Sequence, residues 1–342
     1  MLTVALITRG SPTQITGGHL YQHHLATRAT QHDAAIGFVQ ARGARNPFAA
    51  HSDIAVVDSI TAWSVAPWAT FRRPHVPLVA IVHQPPGGPR SRWAHRVQAA
   101  LDRTMYRRCD LLITPSPYLA DRLVSDHRQA AARIIVIEPG SDLPGAPAIS
   151  PDLRMGRRTA LLSVGNWLPD KGVLELLDAV AATPHDHVTL HLVGRNDVDP
   201  DYTRRVRARL QHGDLGDRVV IHGPVVQHDL AALHAGADVF ALASYAETYG
   251  MAVAEALRAG LPVIACRVGN LPSLVEHGCD GLLVAPGDVL GLTTAVRQLA
   301  DDDRLRSQMS QTARVRAACR PTWADTAAAF FNALHRLAHR HG

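Results

Sequence analysis

Short apolar runs alternate with longer, more polar stretches along the whole chain. Each run is four to seven residues long, and each half of the chain contains six of them. Runs of this length are typical of buried strands in a parallel sheet, and the stretches between them are long enough for crossover helices. The predicted strands are 2–8, 34–40, 54–58, 76–82, 110–114, 133–138, 160–165, 188–194, 219–222, 238–243, 262–266 and 281–285. The pattern therefore predicts an α/β fold.

The segment 142–151 separates the two groups of six runs. It is rich in proline and has no periodicity, which is typical of a linker. A chain of 342 residues is long enough for two domains with their own cores. We therefore predict two doubly wound, Rossmann-like domains, 1–150 and 151–322, followed by a helix within 323–342. Ligands of such domains bind at the carboxyl ends of the strands.

The composition is that of a globular protein, with 46% hydrophobic and 19% charged residues. No apolar stretch approaches the ~18 residues that a membrane-spanning helix needs, and the N-terminal run is short for a signal peptide. The four cysteines lie far apart without a Cys-x-x-Cys pair, as free thiols in a reducing compartment would. These features predict a cytoplasmic protein.

The net charge of +5 is unevenly distributed. Residues 1–150 carry 15 arginines against 9 acidic residues, a net of +6, and residues 151–342 have a net of −1. A positive first domain favours an acidic partner, such as a phosphorylated acceptor or the inner face of an anionic membrane.

The stretch 91–108 has a helical period, with arginines on one stripe and apolar residues on another. We expect the apolar stripe to pack on the sheet, with membrane contact as the alternative; its residues are Trp93, Val97, Leu101 and Met105.

Lys171 is the only lysine among the 35 basic residues of the chain, and it lies in the segment 164–172. A compact ammonium group acts on phosphate as a point charge, whereas a guanidinium group suits flat, bidentate pairing. The retained lysine therefore indicates a narrow phosphate site at the junction of a predicted strand and a predicted helix.

A second segment predicts the same kind of ligand. An apolar run at 238–243 is typical of a buried strand, and the alanine-rich stretch 251–259 is typical of a helix. Gly250 thus opens a helix just beyond a strand, where free amides and the helix dipole favour phosphate. Glu247 and Glu255 flank these amides. Two acceptors around an anion site suit a ligand with hydroxyl groups at both ends of a diphosphate, such as a nucleotide-sugar.

The two glutamates, separated by seven residues, resemble the paired-glutamate motif of the retaining family-4 glycosyltransferases. The segment 165–172 resembles the phosphate-site segment of that family, and matches continue in order to 281–288. In the first half, Gly17 and Gly18 resemble the family's glycine pair, and His83 its histidine after a buried strand. The resemblance implies the GT-B fold, in which two such domains face a central cleft. It also implies that the donor binds the second domain and that the C-terminal helix returns to the first.

The resemblance implies a role for each candidate residue. Glu255 would accept hydrogen bonds from the ribose, Glu247 would orient hydroxyl groups of the transferred sugar, and His83 would contact the sugar or the acceptor. Lys171 would stabilise the leaving diphosphate. The other donor-binding candidates are Gly17, Gly18, Gly165, Asn166, Tyr249, Gly250 and Met251. Asn166 departs from the family pattern, because family members commonly have arginine at this position. Either Arg195 or an N-terminal residue would then supply the missing positive charge, or the protein uses a different donor.

No metal and no cofactor are expected. The segment Asp197-Val198-Asp199 matches the Asp-x-Asp pattern of the other large glycosyltransferase fold, but this spacing is very common. His19 and His23 are one helical turn apart, but no third ligand is evident. Helix amides and Lys171 would stabilise the leaving group instead.

The sequence thus predicts a retaining glycosyltransferase that moves a hexose from a UDP- or GDP-linked sugar to an unidentified hydroxyl acceptor, with an anionic or lipid-linked acceptor as one possibility. Two alternatives stay open. One is a nucleotide-sugar epimerase of the same fold, and the other is a non-catalytic nucleotide-sugar-binding protein in which Asn166 marks lost chemistry. A dinucleotide-dependent dehydrogenase is disfavoured because no Gly-x-Gly-x-x-Gly follows the first strand. No nucleic-acid partner is expected.

Overall fold

The chain forms two compact units, each built on its own parallel sheet. The computed structural model describes residues 1–9, 17–41, 46–48, 51–71, 75–88, 93–143, 145 and 150–341. One unit consists of the described residues of Met1–Gly140 and Pro321–Gly342, and the other is Ser141–Arg320. The units divide at residue 140, whereas the sequence pattern put the boundary after residue 150. Each unit has a six-stranded sheet, which confirms the predicted α/β class with two doubly wound domains.

The sheet of the first unit has the strand order β2-β1-β3-β4-β5-β6. Its strands are β1 (Leu2–Thr8), β2 (Ala34–Gln40), β3 (Ile54–Asp58), β4 (Leu78–Ile81), β5 (Leu111–Thr114) and β6 (Ile134–Val136). Its first four helices are α1 (Gly17–Arg28), α2 (Ala62–Phe71), α3 (Trp93–Arg108) and α4 (Pro117–Ser125), with short 3-10 helices at Ala29–His32 and Ala131–Arg133. Every residue of β3 and β4 is buried, as expected for central strands with helices on both faces.

Helix α3 corrects the predicted apolar stripe. Its buried residues are Asp102, Met105 and Tyr106, and Cys109, the residue after the helix, is buried as well. Val97 lies on the opposite side of the helix and is 60% exposed. The prediction was therefore right for Leu101 and Met105, which pack in the core of this unit, and wrong for Val97, because contact with α2 and the sheet buries a face that is rotated away from Val97. The side chain of Trp93 lies outside the described residues.

The sheet of the second unit has the strand order β12-β11-β10-β7-β8-β9. Its strands are β7 (Thr159–Val164), β8 (Val188–Val193), β9 (Val219–Gly223), β10 (Val239–Leu242), β11 (Val263–Cys266) and β12 (Gly281–Val284). Its helices are α5 (Val173–Ala181), α6 (Pro200–Leu210), α7 (Gln227–Gly236), α8 (Met251–Arg258), α9 (Leu271–Leu274), α10 (Val289–Asp301) and α11 (Asp303–Ala318), with a short 3-10 helix at Pro169–Lys171. Successive strand residues alternate between two cores: Leu161 packs with α5 and α10, and Leu162 with α8.

The last helix, α12 (Trp323–His341), belongs to the first unit and packs against α1. Phe330 and Phe331 are fully buried there, and the hydroxyl group of Thr326 donates a hydrogen bond of 2.8 Å to the carbonyl oxygen of Glu138. None of the helices in the described part of the chain is both long and apolar enough to cross a membrane.

The strand order of the second unit brings two loops together. The chain proceeds from β7 to β9 on one side and then returns to place β10 on the other side of β7. The loops after β7 and β10 therefore meet at a switch point, where ligands of such sheets bind. Gly172 lies so close to the second loop that a Cβ atom there would be 2.0 Å from the carbonyl oxygen of Ala243. The backbone N–H of Tyr245 also donates to the carbonyl oxygen of Asp170 at 2.8 Å.

We predict that Gly172→Ala lowers the free energy of unfolding by about 2 kcal/mol or more, because Gly172 has a φ of +64° and no room for a side chain. Urea unfolding followed by circular dichroism measures the change. Gly213→Ala is the matched control, because its added Cβ would meet no atom within 4 Å. Equal stability of the two variants would contradict the close approach of the two loops.

Candidate active site

An ion pair joins the two loops at the switch point. The Nζ atom of Lys171 lies 2.6 Å from Oε1 of Glu247, and the Ser244 hydroxyl group donates to the same oxygen at 2.9 Å. The two charged side chains are only 24% and 12% exposed. Burial alone would lower the pKa of Lys171, but the charge and hydrogen bond of Glu247 outweigh it and hold that pKa above its usual value. The structure thus brings together two residues that the sequence placed in one phosphate and sugar site.

The loop that carries Glu247 is anchored from both sides. The backbone N–H of Asn270 donates to the carbonyl oxygen of Glu247 at 3.0 Å, and its side-chain amide donates to that of Tyr249 at 3.1 Å. On the other side, the hydroxyl group of Tyr245 donates to Glu175 at 2.8 Å. The sequence pattern did not indicate a role for Asn270 or Glu175. The signal for Asn270 was its position just after a predicted strand, where a buried polar side chain needs a partner.

Helix α8 begins directly after this loop. Gly250 is its N-cap in the left-handed region, with a φ of +99°, and Met251 is its first residue. A glycine N-cap brings no side chain to the first-turn amides, so this end keeps the positive dipole that favours phosphate. Glu255 lies one turn further along the helix and is only 6% exposed. Burial raises the pKa of Glu255 to about 7, so its carboxyl group is partly protonated at neutral pH.

Asn166 has a structural role in the loop after β7. Its side-chain oxygen accepts a 3.0 Å hydrogen bond from the backbone N–H of Arg195, and the carbonyl oxygen of Arg195 accepts one from Trp167. The preceding residue, Gly165, donates to the carbonyl oxygen of Val193 at 2.8 Å. Asn166 therefore ties the loop after β7 to the loop after β8.

Arg195 was one candidate for the positive charge that Asn166 lacks. Its guanidinium group instead makes two hydrogen bonds to Asp197, at 2.9 and 3.0 Å. The other aspartate of that segment, Asp199, caps α6 by accepting from the backbone N–H of Tyr202 at 3.0 Å. Both aspartates of the Asp-x-Asp segment thus have structural partners. Within the described ranges, no three His, Cys, Asp or Glu residues are grouped so as to hold a metal ion.

The first unit places His83 beside Gly18. His83 follows β4, and a Cβ atom on Gly18 would lie 3.1 Å from its ring. Burial lowers the pKa of His83, while the negative charge of Asp58 partly opposes that shift. Its Nε2 atom is buried and has no partner among the described residues. The neutral ring therefore holds an unsatisfied nitrogen at the carboxyl end of the sheet, where Gly17 and Gly18 begin α1.

A buried carboxylate near His83 was not predicted. Asp58 ends β3, is fully buried, and accepts hydrogen bonds from the side chain of Gln22 and the backbone N–H of Ile60. The sequence feature that could have indicated Asp58 is a single acidic residue at the carboxyl end of an apolar strand. By contrast, His19 is buried and His23 is exposed, so these two histidines face different surroundings.

The class of protein follows from these features and a structural comparison. Two doubly wound units, with a cation–carboxylate pair at one switch point, match the predicted GT-B glycosyltransferase fold. The crystal structure of Anabaena HepE in complex with UDP and glucose is similar over 98% of this chain and 100% of that chain, with a TM-score of 0.82 at 20% identity. This likeness confirms the fold.

Family models identify the chain more closely. The model for "Glycosyl transferases group 1" matches residues 150–316, and that for "Glycosyltransferase Family 4" matches residues 2–143. The chain belongs to the family-4 glycosyltransferases.

Curated relatives match part of their own length. Glycogen synthase of Mycobacterium tuberculosis is 32% identical over 74% of this chain and 62% of that protein. Mannosylfructose-phosphate synthase of Agrobacterium fabrum is 28% identical over 65% of this chain and 52% of that protein. The chain therefore spans between half and two thirds of the length of these relatives.

We predict that Glu255 makes stability fall with rising pH. Its carboxyl group binds a proton more tightly in the folded chain, with a pKa of about 7, than in the unfolded chain, near 4.5. This contribution to stability is therefore present at acidic pH and is lost as the pH rises from about 4.5 to about 7. Compared with Glu255→Gln, the wild type should lose about 3 kcal/mol across that window. Urea unfolding at a series of pH values measures the difference.

The control for this pH series is Asp229→Asn, an exposed carboxylate on α7, which should keep the pH profile of the wild type. An identical pH profile for Glu255→Gln and the wild type would mean that burial does not raise the pKa of Glu255 in the folded chain.

Proposed function

We propose that the chain is a retaining hexosyltransferase that uses a UDP- or GDP-linked sugar and a hydroxyl acceptor. The observation that carries the proposal is the Lys171–Glu247 ion pair at the switch point, directly before the N-terminus of α8. A cation, a helix N-terminus and two carboxyl groups are the donors and acceptors that a sugar diphosphate requires.

The two partners of the ion pair have separate roles once the nucleotide-sugar binds: Lys171 binds the diphosphate, and Glu247 binds the sugar. Lys171 and Glu247 neutralise each other at 2.6 Å. A bound diphosphate carries more negative charge than one carboxylate, so it competes with Glu247 for the ammonium group. The carboxylate of Glu247 is then free to accept hydrogen bonds from hydroxyl groups of the sugar. Donor binding and orientation of the sugar are thereby coupled.

The chemical step then needs no side-chain nucleophile. The bond between the anomeric carbon and the diphosphate oxygen breaks, and the acceptor oxygen forms a bond to the same face of that carbon. The acceptor proton passes to the departing phosphate oxygen. The charge that develops on the diphosphate is stabilised by Lys171 and by the backbone amides of Tyr249, Gly250 and Met251 at the start of α8. We propose that no metal ion takes part.

The relatives support this chemistry by what their names state. HepE was crystallised with UDP and glucose, and the names of the two curated relatives describe the synthesis of glycogen and of mannosylfructose phosphate. All three names concern hexoses. For this chain, we propose a hydroxyl acceptor that carries negative charge or a lipid, because the first 150 residues have a net charge of +6.

An epimerase and a non-catalytic binding protein are the alternatives. An epimerase would convert the donor without an acceptor, and a binding protein would hold it without turnover. Asn166 no longer favours the second alternative, since it holds the backbone of the adjacent loop and leaves Lys171 in place as the cation.

We also propose a cytoplasmic location with peripheral contact at the membrane, made by the outer face of α3. This face carries Arg96, Arg107 and Arg108, all exposed, around the 60% exposed Val97. An apolar side chain among arginines suits the interface of an anionic membrane.

We predict that Lys171→Ala lowers kcat/KM for the donor about 10- to 100-fold, the effect of losing one charge-assisted hydrogen bond. Glu247→Ala should mainly lower kcat, and Glu255→Ala should mainly raise the donor KM. Turnover of UDP- and GDP-hexoses should survive EDTA. Steady-state kinetics with a hydroxyl acceptor measure all of these effects.

The matched control is Arg195→Ala, which should change kcat/KM less than about threefold because Asp197 already holds that guanidinium group. A larger loss in Arg195→Ala than in Lys171→Ala would make Arg195 the phosphate cation. Conversion of the donor without any acceptor would establish the epimerase.

We predict that the double variant Arg96→Gln/Arg107→Gln lowers binding to anionic vesicles about tenfold or more, since each arginine near such a surface contributes about 1 kcal/mol. Co-sedimentation with vesicles of anionic and of neutral lipid measures it. Arg204→Gln, an exposed arginine of the second unit, is the control. Sedimentation that is insensitive to anionic lipid would remove the membrane contact.

A further inference from the structure

The second unit has a cavity of about 560 Å³ at the edge of its sheet opposite to the ion pair. The turn before β10, the turn between α8 and β11, and helix α11 form its walls. Because the strands are parallel, both turns lie at the amino edge, whereas Lys171 and Glu247 lie at the carboxyl edge. The cavity is therefore separate from the candidate active site.

Three arginines and two aspartates line this cavity, so its lining has one positive charge in excess. Arg154 makes two hydrogen bonds to Asp238, at 2.9 and 2.6 Å. Arg306 is only 8% exposed; it pairs with Asp303 and donates to a carbonyl oxygen at the end of α10 at 3.1 Å. Each aspartate is thus neutralised by one arginine.

Arg314 carries the excess charge. Within the part of the chain that the structure describes, it has no carboxylate partner, since the ion pairs of the cavity are Arg154–Asp238 and Arg306–Asp303. Its guanidinium group lies on the turn at Gly260, where a Cβ atom would come within 2.3 Å of Nε. Because Gly260 has no side chain, the guanidinium group of Arg314 has room at the cavity wall.

Two hydroxyl groups lie on the same helix face as Arg314. Ser307 and Ser310 precede it by seven and four residues on α11, and all three line the cavity. His234 borders the cavity too, and burial lowers its pKa to about 4, so the ring adds no charge. The Nε2 atom of His234 is buried without a partner among the described residues.

We propose that this cavity binds the phosphate group of a small phosphorylated ligand, with Arg314, Ser307 and Ser310 as the donors. A free guanidinium group next to two hydroxyl groups matches the oxygens of a phosphate. The volume is within the range of small-molecule sites and exceeds what a phosphate ion fills, which favours a phosphomonoester with an organic body.

The position of the cavity connects it to the candidate active site. Residues 259–261, which line the cavity, directly follow the C-terminal end of α8, and the N-terminal end of α8 follows the loop of Glu247. The helix has eight residues, a length of about 12 Å. A ligand in the cavity would thus contact the turn that directly follows the helix carrying Glu255.

The test is isothermal titration of the full chain with inorganic phosphate and with ribose 5-phosphate. Arg314→Gln should weaken binding about tenfold or more, and Ser307→Ala should weaken it severalfold. Arg304→Gln, an exposed arginine of α11 outside the cavity lining, should match the wild type. Tighter binding of ribose 5-phosphate identifies a phosphorylated metabolite as the ligand, and equal affinities identify free phosphate.

Lys171→Ala separates this proposal from the proposed transferase function. It should keep phosphate binding at the cavity, whether or not the chain is a transferase. Loss of binding in Lys171→Ala with full binding in Arg314→Gln would place the phosphate at the candidate active site and overturn the proposal. Unchanged binding in a folded Arg314→Gln variant would also overturn it, leaving Arg314 as a cation that stabilises the C-terminus of α8.

Discussion

The ion pair between Lys171 and Glu247 is the interaction on which the candidate active site depends. It joins two residues that are 76 positions apart in sequence. Their loops are adjacent in the sheet because the strand order reverses between β7 and β10. Backbone contacts position both partners of the ion pair. Gly172, next to Lys171, has no side chain and so lets the carbonyl group of Ala243 approach closely, and the backbone N–H of Asn270 donates to the carbonyl oxygen of Glu247. These backbone contacts hold the two charged side chains in position, which lowers the cost of ordering them when a ligand binds.

The fold could be predicted from the sequence because local patterns and tertiary structure agree. All twelve apolar runs are strands in the structure. The helix that was predicted to open at Gly250 and to stop at Gly260 is α8, which begins at Met251 and ends at Arg258. The failure on α3 has a physical cause. Helical period alone predicts which residues share a face, but only contacts with α2 and the sheet decide which face is buried, and Val97 was left exposed.

The candidate site was predictable where its residues are adjacent in sequence and not where they meet through space. Lys171, Gly250 and Glu255 could be assigned from strand and helix boundaries. The contacts of Asn270 with Tyr249, and of Gln22 with Asp58, join residues 21 and 36 positions apart, and no local pattern indicates them. The same holds for Asn166, whose partner Arg195 lies 29 residues away. Its departure from the family pattern suggested lost chemistry, but its side chain holds the neighbouring loop.

Helix α8 links the two candidate phosphate sites of the second unit. Its N-terminal end follows the loop of Glu247, and its C-terminal end borders the arginine-lined cavity. A phosphate group is stabilised at the first end by the helix dipole itself, whereas at the second end the dipole opposes it and a side-chain cation is required. Arg314, whose side chain lies against Gly260, fits that requirement. Lys171, at the other end of the helix, is paired with Glu247 and would exchange that carboxylate for a phosphate group.

Because the chain has a single lysine, the exchange of that partner can be observed directly. Protein labelled with 13C at the lysine side chain should give one Cε signal, that of Lys171, in heteronuclear NMR. We predict that this signal shifts saturably as UDP or GDP is added, because the ammonium group moves from Glu247 to the diphosphate. Nucleotide binding with an unmoved lysine signal, or no binding of either nucleotide, would contradict the assignment of Lys171 as the phosphate cation.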